Sequence, residues 1–363
     1  MTEFVESLVI GKFYPLHNGH VALMERAAAR SAHLTVIVMA SQLESIPLPD
    51  RVDWTRASTV RLGNVTVLGI VDDAPVDYAS DIAWVAHVEA MRAALRLSGI
   101  AQIDAVFGGE DYADELAARL GAVAVVDDRE REIVPMSGTA ARADLAGKWM
   151  MLPPASRLGL ATRIIVVGAE STGTTTLSEG LLEHYRSRFP GIQRVEEYGR
   201  TFTYELAGET PIPSDIPAPE PAEGPPHLVW LPKHFATIAT QQTELENAAA
   251  LTCPLVIADT DAFATTIWER RYVNENSHAS ADAGGESLPR RDLYIVTDHV
   301  GVPFEQDGWR DGEDIRADMT GWFIDGLTER GMPWMLVRGT PEERLAYAIQ
   351  AIDPLLNRRM TFA

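Results

Sequence analysis

The segment Leu34–Ala40 is β-branched and almost unbroken in its apolarity, the pattern of a strand covered on both faces. Such a strand needs helices on either side, and the neighbouring sequence supplies them. Leu8–Ile10, Val65–Ile70, Ala105–Phe107 and Val123–Val126 read as further strands, with helices over Gly19–Ser31, Asp81–Leu97 and Asp111–Leu120. On the first of these helices Val21, Leu23, Met24 and Ala28 share the apolar side. This alternation predicts a parallel sheet flanked by helices.

Leu152-Pro153-Pro154-Ala155-Ser156 is a turn-rich break, and the pattern restarts after it. Strands are expected over Arg163–Gly168, Leu255–Asp259 and Leu293–Thr297, and helices over Thr174–Arg188, His234–Leu251, Asp314–Thr328 and Pro341–Ile352. The reading is two α/β domains, 1–157 and 158–363. Two segments interrupt the second. Gly208–Pro226 holds seven prolines and no apolar period, as a surface insertion would. Asn274–Pro289 is polar and rich in Ser, Ala and Gly, and reads as a long or disordered loop.

Charge narrows the function. The 363 residues carry 31 Lys and Arg against 52 Asp and Glu, a formal net charge of −21, and only Lys12, Lys148 and Lys233 are lysines. A surface this acidic argues against nucleic acid and anionic membranes as partners. No apolar stretch approaches the roughly 20 residues a bilayer crossing needs, and Met1–Glu6 offers no basic start for a signal peptide. The lone Cys253 cannot form an internal disulfide, so the expectation is a cytoplasmic protein. Oligomeric state is left open.

The first strand runs into Gly11-Lys12-Phe13-Tyr14-Pro15-Leu16-His17-Asn18-Gly19-His20, with a helix opening near Gly19. A strand-to-helix junction presents free backbone N–H groups and the positive end of a helix dipole, which together suit phosphate. Gly11 permits close backbone approach, Lys12 adds a full charge, and His17 and His20 can point to one side. Two histidines three apart also fit zinc, but no third ligand stands at a convincing spacing.

A second junction follows the break. Ile164–Val167 leads into Gly168-Ala169-Glu170-Ser171-Thr172-Gly173-Thr174-Thr175-Thr176, the P-loop pattern G-x-x-x-x-G-K-[ST] in every position but the lysine. Thr174 stands where that lysine belongs, while the loop amides can still cradle phosphate. Thr175 matches the Mg²⁺-ligating hydroxyl, and Asp259 ends an apolar strand as the metal-side acid of such a loop.

These motifs resemble known ones. G-x-F-x-P-x-H-x-G-H is similar to the signature of the HxGH nucleotidyltransferases, and Met136-Ser137-Gly138-Thr139-Ala140-Ala141-Arg142 resembles their I-S-G-T-x-I-R with two positions changed. The order of the two halves resembles the NadR type of bifunctional enzyme, an adenylyltransferase followed by a ribosylnicotinamide kinase. Trp149, Pro153-Pro154, Glu197-Tyr198-Gly199-Arg200, Asp259-Thr260-Asp261 and Pro303-Phe304-Glu305-Gln306-Asp307-Gly308-Trp309-Arg310 fit that pattern. The helix-turn-helix that some members carry before the first motif is not expected here.

The resemblance implies two doubly wound parallel-sheet domains, a Rossmann-like nucleotidyltransferase and a P-loop NTPase-like kinase. It implies ATP and Mg²⁺, with nicotinamide mononucleotide and ribosylnicotinamide as small-molecule substrates. In the first domain His17 and His20 would contact the ATP phosphates, and Lys12 and Arg142 would neutralise β- and γ-oxygens. Gly11, Ser137, Thr139 and Gly109 (within Phe107-Gly108-Gly109-Glu110) would line the nucleotide site. Trp54 and Trp84 are candidates for stacking on the pyridinium base, with core packing as the alternative. In the second domain Gly168, Gly173, Thr174, Thr175 and Thr176 would hold phosphates, and Asp259 or Asp261 would hold the acceptor hydroxyl and Mg²⁺. Glu197 and Arg200 would lie near the acceptor, unless they merely pair with each other, and Arg310 or Arg316 would sit in a lid.

Losing the loop lysine removes on the order of 3 kcal/mol of transition-state stabilisation, about a hundredfold in rate. A second reading therefore keeps the adenylyltransferase and makes the P-loop domain a nucleotide-sensing module. A third changes the adenylyl acceptor to phosphopantetheine, against which the second half argues.

Overall fold

The computed structural model describes residues 2–109, 112–126, 134–208, 228–284, 288–306 and 309–362. The chain divides into two compact units, Met1–Leu160 with Met360–Ala363, and Ala161–Arg359. The division thus falls at 160/161, and the last residues group with the first unit.

In the first unit the order is β1 (Phe4–Gly11), α1 (Asn18–Arg30), β2 (Ser31–Ala40), α2 (Leu48–Thr59), β3 (Val65–Val71), α3 (Asp81–Leu97), β4 (Ala105–Gly108), α4 (Tyr112–Leu120), β5 (Val123–Val126), α5 (Gly138–Ala143) and α6 (Pro154–Leu160). The sheet order is β3-β2-β1-β4-β5, all parallel. Its centre is apolar because the helices cover it: Leu8, Ile37 and Val106 are fully buried against Val88, Met91 and Leu116. The chain reverses its winding between β1 and β4, and ligands of open α/β sheets bind in the crevice at that switch point.

The second unit runs β6 (Thr162–Gly168), α7 (Thr174–Tyr185), β7 (Arg194–Val195), α8 (Tyr198–Ala207), α9 (Pro232–Thr252), β8 (Leu255–Asp259), α10 (Ala262–Tyr272), α11 (Ala279–Gly284), β9 (Leu293–Thr297), α12 (Arg316–Glu329), β10 (Trp334–Val337) and α13 (Pro341–Met360). Its parallel sheet has the order β10-β9-β6-β8-β7. All seven residues of β6 are buried, so the P-loop leaves the middle of a sheet covered on both faces. Among the described residues no helix is long and apolar enough to cross a membrane.

Three expectations need correction. The break at 152–156 is in part a helix start: Pro154 opens α6, where its missing N–H and fixed φ cost nothing. Asn274–Pro289 is not all loop, because α11 forms inside it. Its start is pinned by Glu269 of α10, which accepts the Ala279 and Ser280 amides at 2.9 Å each and both neighbouring serine hydroxyls. Helix α13 continues to Met360, past Pro354. The Gly208–Pro226 insertion lies outside the described residues beyond Gly208.

Trp149, in the turn before α6, is 2% exposed and among the largest fully buried side chains. Trp149→Ala is expected to cost about 3–5 kcal/mol of stability, read as a lowered urea midpoint at unchanged slope.

Candidate active sites

The first site is a cleft of about 650 Å³ over the C-terminal end of the first sheet. Gly11 ends β1, and a Cβ there would press 2.6 Å from the Phe13 ring, so any larger residue would have to displace that buried ring. α1 begins on a reciprocal cap. His17 N–H donates to His20 Nδ1 at 3.3 Å, and the His20 amide donates to His17 O at 2.9 Å. The two rings stack with centroids 3.5 Å apart, and His17 is 4% exposed. Both imidazoles therefore face one side at a helix N-terminus.

Cations ring this cleft. Lys12 Nζ lies 3.0 Å from Glu44, whose other oxygen takes Arg51 at 2.7 Å. Arg142, arriving from α5, donates to Tyr14 O at 2.7 Å and to Thr139 Oγ1 at 3.2 Å. Ser137 caps α5 by accepting the Ala140 amide at 3.1 Å. Gly11, Lys12, His17, His20, Trp84, Gly109, Ser137, Thr139 and Arg142 all line the one cleft, although two motifs some 120 residues apart supply most of them. Glu110 lies outside the described residues.

The two tryptophans separate. Trp84 lines the cleft, its Nε1 donating to Tyr78 O at 3.1 Å. Trp54 is 8% exposed and packs on Gly159 of α6, so it is a core residue, correcting its candidacy for base stacking. One pair escaped sequence reading: Asp72 at the end of β3 and His87 on α3, 2.5 Å apart, both in the cleft. Neither sits in a motif.

The second site is a cavity of about 500 Å³ at the P-loop. Ser171 (φ 53°) and Gly173 (φ 85°) are both left-handed, the alternation that turns successive N–H groups into one concavity. A Cβ on Gly168 would run into the Thr297 and Thr172 hydroxyls. Thr172 Oγ1 ties the loop to Ala169 O at 2.7 Å. Thr175 Oγ1 donates to Asp259 Oδ2 at 2.7 Å, and Arg194 Nη1 reaches that same oxygen at 3.1 Å. Burial pushes the Asp259 carboxyl up, and Thr175 and Arg194 oppose it.

Gly168, Thr174, Thr175, Glu197, Arg200, Asp259 and Arg310 line this cavity; Gly173, the N-cap of α7, is not among its lining residues, and Thr176 is exposed on the helix. Glu197 precedes α8 at its N-cap position without a side-chain capping bond, and its carboxyl is pushed up to about 7 by burial and then by the Asp259 charge, against the pull of Arg200. Arg310 Nη1 donates to Ser171 Oγ at 3.1 Å. Asp307 and Gly308 lie outside the described residues.

Besides Gly173 and Thr176, two more expected residues do not line the cavity. Asp261 is fully buried: it caps α10 through the Ala264 amide at 2.9 Å and accepts the Tyr294 hydroxyl at 2.6 Å. Thr260, at φ 75°, turns the chain between the two acids, so only Asp259 faces the cavity. Arg316 is 6% exposed and holds the Ser171 carbonyl at 2.8 Å, in the body of the unit instead of a lid. Sequence reading also missed an aromatic wall of Tyr204, Trp230, Phe235, Trp268, Tyr272 and Trp309. Trp230 and Tyr272 stack with centroids 5.5 Å apart. Trp268 and Tyr272, four apart on α10, were the legible part of that wall.

A family model described as an AAA domain matches residues 163–344, half of the chain, from β6 into α13. The chain belongs to the AAA-domain family. The matched stretch contains the whole of the second site described above. The trifunctional NAD biosynthesis/regulator protein NadR of Escherichia coli (strain K12) is 23% identical over 214 residues, 55% of this chain and 50% of that protein. The chain thus spans about half the length of the curated relatives it matches. A crystal structure of NadR in complex with NR has 20% identity and a TM-score of 0.60, covering 98% of this chain and 96% of that one. A second, with NAD and AMP-PNP, has 19% identity and a TM-score of 0.58, covering 97% of each. The AAA domain and the unit before it thus share the NadR fold along nearly their whole length.

Proposed function

We propose that the chain serves NAD synthesis with two reactions. The first unit transfers the adenylyl group of ATP to nicotinamide mononucleotide; the AAA domain phosphorylates ribosylnicotinamide. The observation that carries this reading is the convergence of Lys12, His17, His20, Ser137, Thr139 and Arg142 on one cleft at a helix N-terminus. Similarity to NadR, whose structures hold NR and NAD with AMP-PNP, supports it.

In the first reaction a phosphate oxygen of the mononucleotide attacks the α-phosphorus, the bond to the bridging oxygen breaks, and pyrophosphate leaves. No protein nucleophile is needed, only positioning and cations where negative charge develops. His17 and His20 would hold the phosphates, Lys12 and Arg142 would take the charge on the leaving pyrophosphate, and Trp84 would face the base.

In the second reaction the 5′-hydroxyl attacks the γ-phosphorus, ADP leaves, and the hydroxyl proton passes to a carboxylate. Glu197 and Asp259 both open into that cavity. The aromatic wall suits a cationic pyridinium ring, which aromatic faces attract. The Thr175 hydroxyl and Asp259 carboxylate are hard oxygen donors already 2.7 Å apart, a fit for Mg²⁺. Among the described residues no three acidic, His or Cys groups gather around a metal, so phosphates and water would complete its shell. Bound there, Mg²⁺ would offset phosphate charge. The buried thiol of Cys253 suits a reducing cytoplasm.

The test is a two-substrate assay with ATP and Mg²⁺. Nicotinamide mononucleotide should give NAD and pyrophosphate, and ribosylnicotinamide should give the mononucleotide and then NAD. No NAD from the first mixture would refute the adenylyltransferase. Tight nucleotide binding by the AAA domain with no turnover of the riboside would leave it a sensing module.

A further inference from the structure

The P-loop has no lysine, yet two buried guanidiniums reach its backbone. Arg344, 4% exposed, donates through Nη1 to Thr172 O at 2.6 Å, with Nη2 on Asp298 O and Nε on Gly339 O at 3.0 Å each. Arg316, 6% exposed, donates through Nη2 to Ser171 O at 2.8 Å and from both terminal nitrogens to Val302 O at 3.1 Å. Every acceptor is a main-chain carbonyl. Among the described residues neither arginine makes a salt bridge to a carboxylate, and both are held below the usual guanidinium range by burial. Carboxylates act on them only from a distance, Glu313 and Glu170 on Arg316 and Asp298 on Arg344, so each charge is spent directly on main-chain carbonyls.

The two P-loop carbonyls are successive, and each belongs to a planar peptide whose N–H sits on the next residue. Ser171 O shares its peptide with the Thr172 amide, and Thr172 O with the Gly173 amide. In a trans peptide C=O and N–H point in opposite directions, so a cation on the carbonyl side strengthens the donor on the other. Those two amides lie between Ser171 and Thr174, which line the cavity, and the left-handed Ser171 and Gly173 give this stretch the backbone shape of an anion nest.

We propose that Arg316 and Arg344 replace the absent lysine, passing their charge to the bound nucleotide's phosphates through the Ser171–Thr172 and Thr172–Gly173 peptides. They are positioning residues: neither touches the nucleotide. The inference rests on the reading of this cavity as a nucleotide site, and it would let a loop with Thr174 hold polyphosphate.

The test is a mutant cycle on the full chain, read as ADP affinity by calorimetry. Arg344→Gln keeps a donor for Thr172 O and loses the charge; it should weaken ADP about tenfold, whereas Arg344→Lys should stay within about threefold. In a Thr174→Lys background, where an ammonium meets the phosphates directly, Arg344→Gln should cost less than about threefold. Equal losses in the two backgrounds, or no loss in either, would overturn the proposal. If Arg344→Gln does not unfold cooperatively, Arg316→Gln carries the same cycle; failure of both to fold would assign the arginines to the fold alone and also overturn it. Absent turnover of ribosylnicotinamide with this binding pattern intact would refute the kinase, not the charge relay.

Discussion

Asp259→Asn is expected to lower phosphoryl transfer to ribosylnicotinamide by about 10²–10³-fold while leaving NAD formation from the mononucleotide nearly unchanged. Asparagine keeps an oxygen for the Thr175 hydroxyl, so the 2.7 Å contact that ends β8 on the P-loop can persist. What goes is the negative charge that would hold Mg²⁺ and share the acceptor's proton. Arg194, 7% exposed at its side chain, loses one partner but keeps Glu196 at 3.1 Å. Because the lost pair is buried but Arg194 keeps a second acid, the expected cost is about 1–3 kcal/mol, read as a lowered Tm. Radiolabelled phosphate transfer measures the effect, and a variant within about fivefold of the parent would remove Asp259 from the reaction.

His20→Ala is expected to reduce adenylyl transfer by about 10²–10³-fold in kcat/KM, with riboside phosphorylation unaffected. The imidazole does two jobs. It lies among the cations of the first cleft, and its Nδ1 receives the His17 amide at the start of α1. Losing the cap costs about 1 kcal/mol, too little to account for the rate. His20→Asn, which restores an acceptor near that amide, should recover stability and not activity. Recovery of both would make His20 a capping residue and nothing more.

The fold was legible where a strand carried a run of β-branched residues, which β10 (Trp334–Val337) lacks. β2, β5, β8 and β9 lie close to where their β-branched runs put them, whereas β7 is two residues long and carries no period. α2 escaped because its buried face includes Arg51 and Thr55, which mask the apolar stripe; Arg51 is buried by donating to Ile46 O. The loops of both sites could be read because a phosphate cradle is made by backbone and leaves its glycines and hydroxyls contiguous in sequence. The aromatic wall could not, because four separated segments each contribute one or two rings. Asp261 misled for a local reason: spacing by two on an extended chain implies one face, and the left-handed turn at Thr260 cancels that rule.

The two cavities differ in what a reagent would find in them. Lys12 lines the first, and no described residue lining the second carries a primary amine. Acetylation, or an acyl-phosphate probe shaped like ATP, removes the charge of a lysine and leaves a guanidinium untouched under the same conditions. Acylation of the whole protein should therefore silence NAD formation while sparing riboside phosphorylation, so that the mononucleotide accumulates. A P-loop built on arginine behind its backbone is, in this sense, resistant to lysine chemistry that could switch off its neighbour.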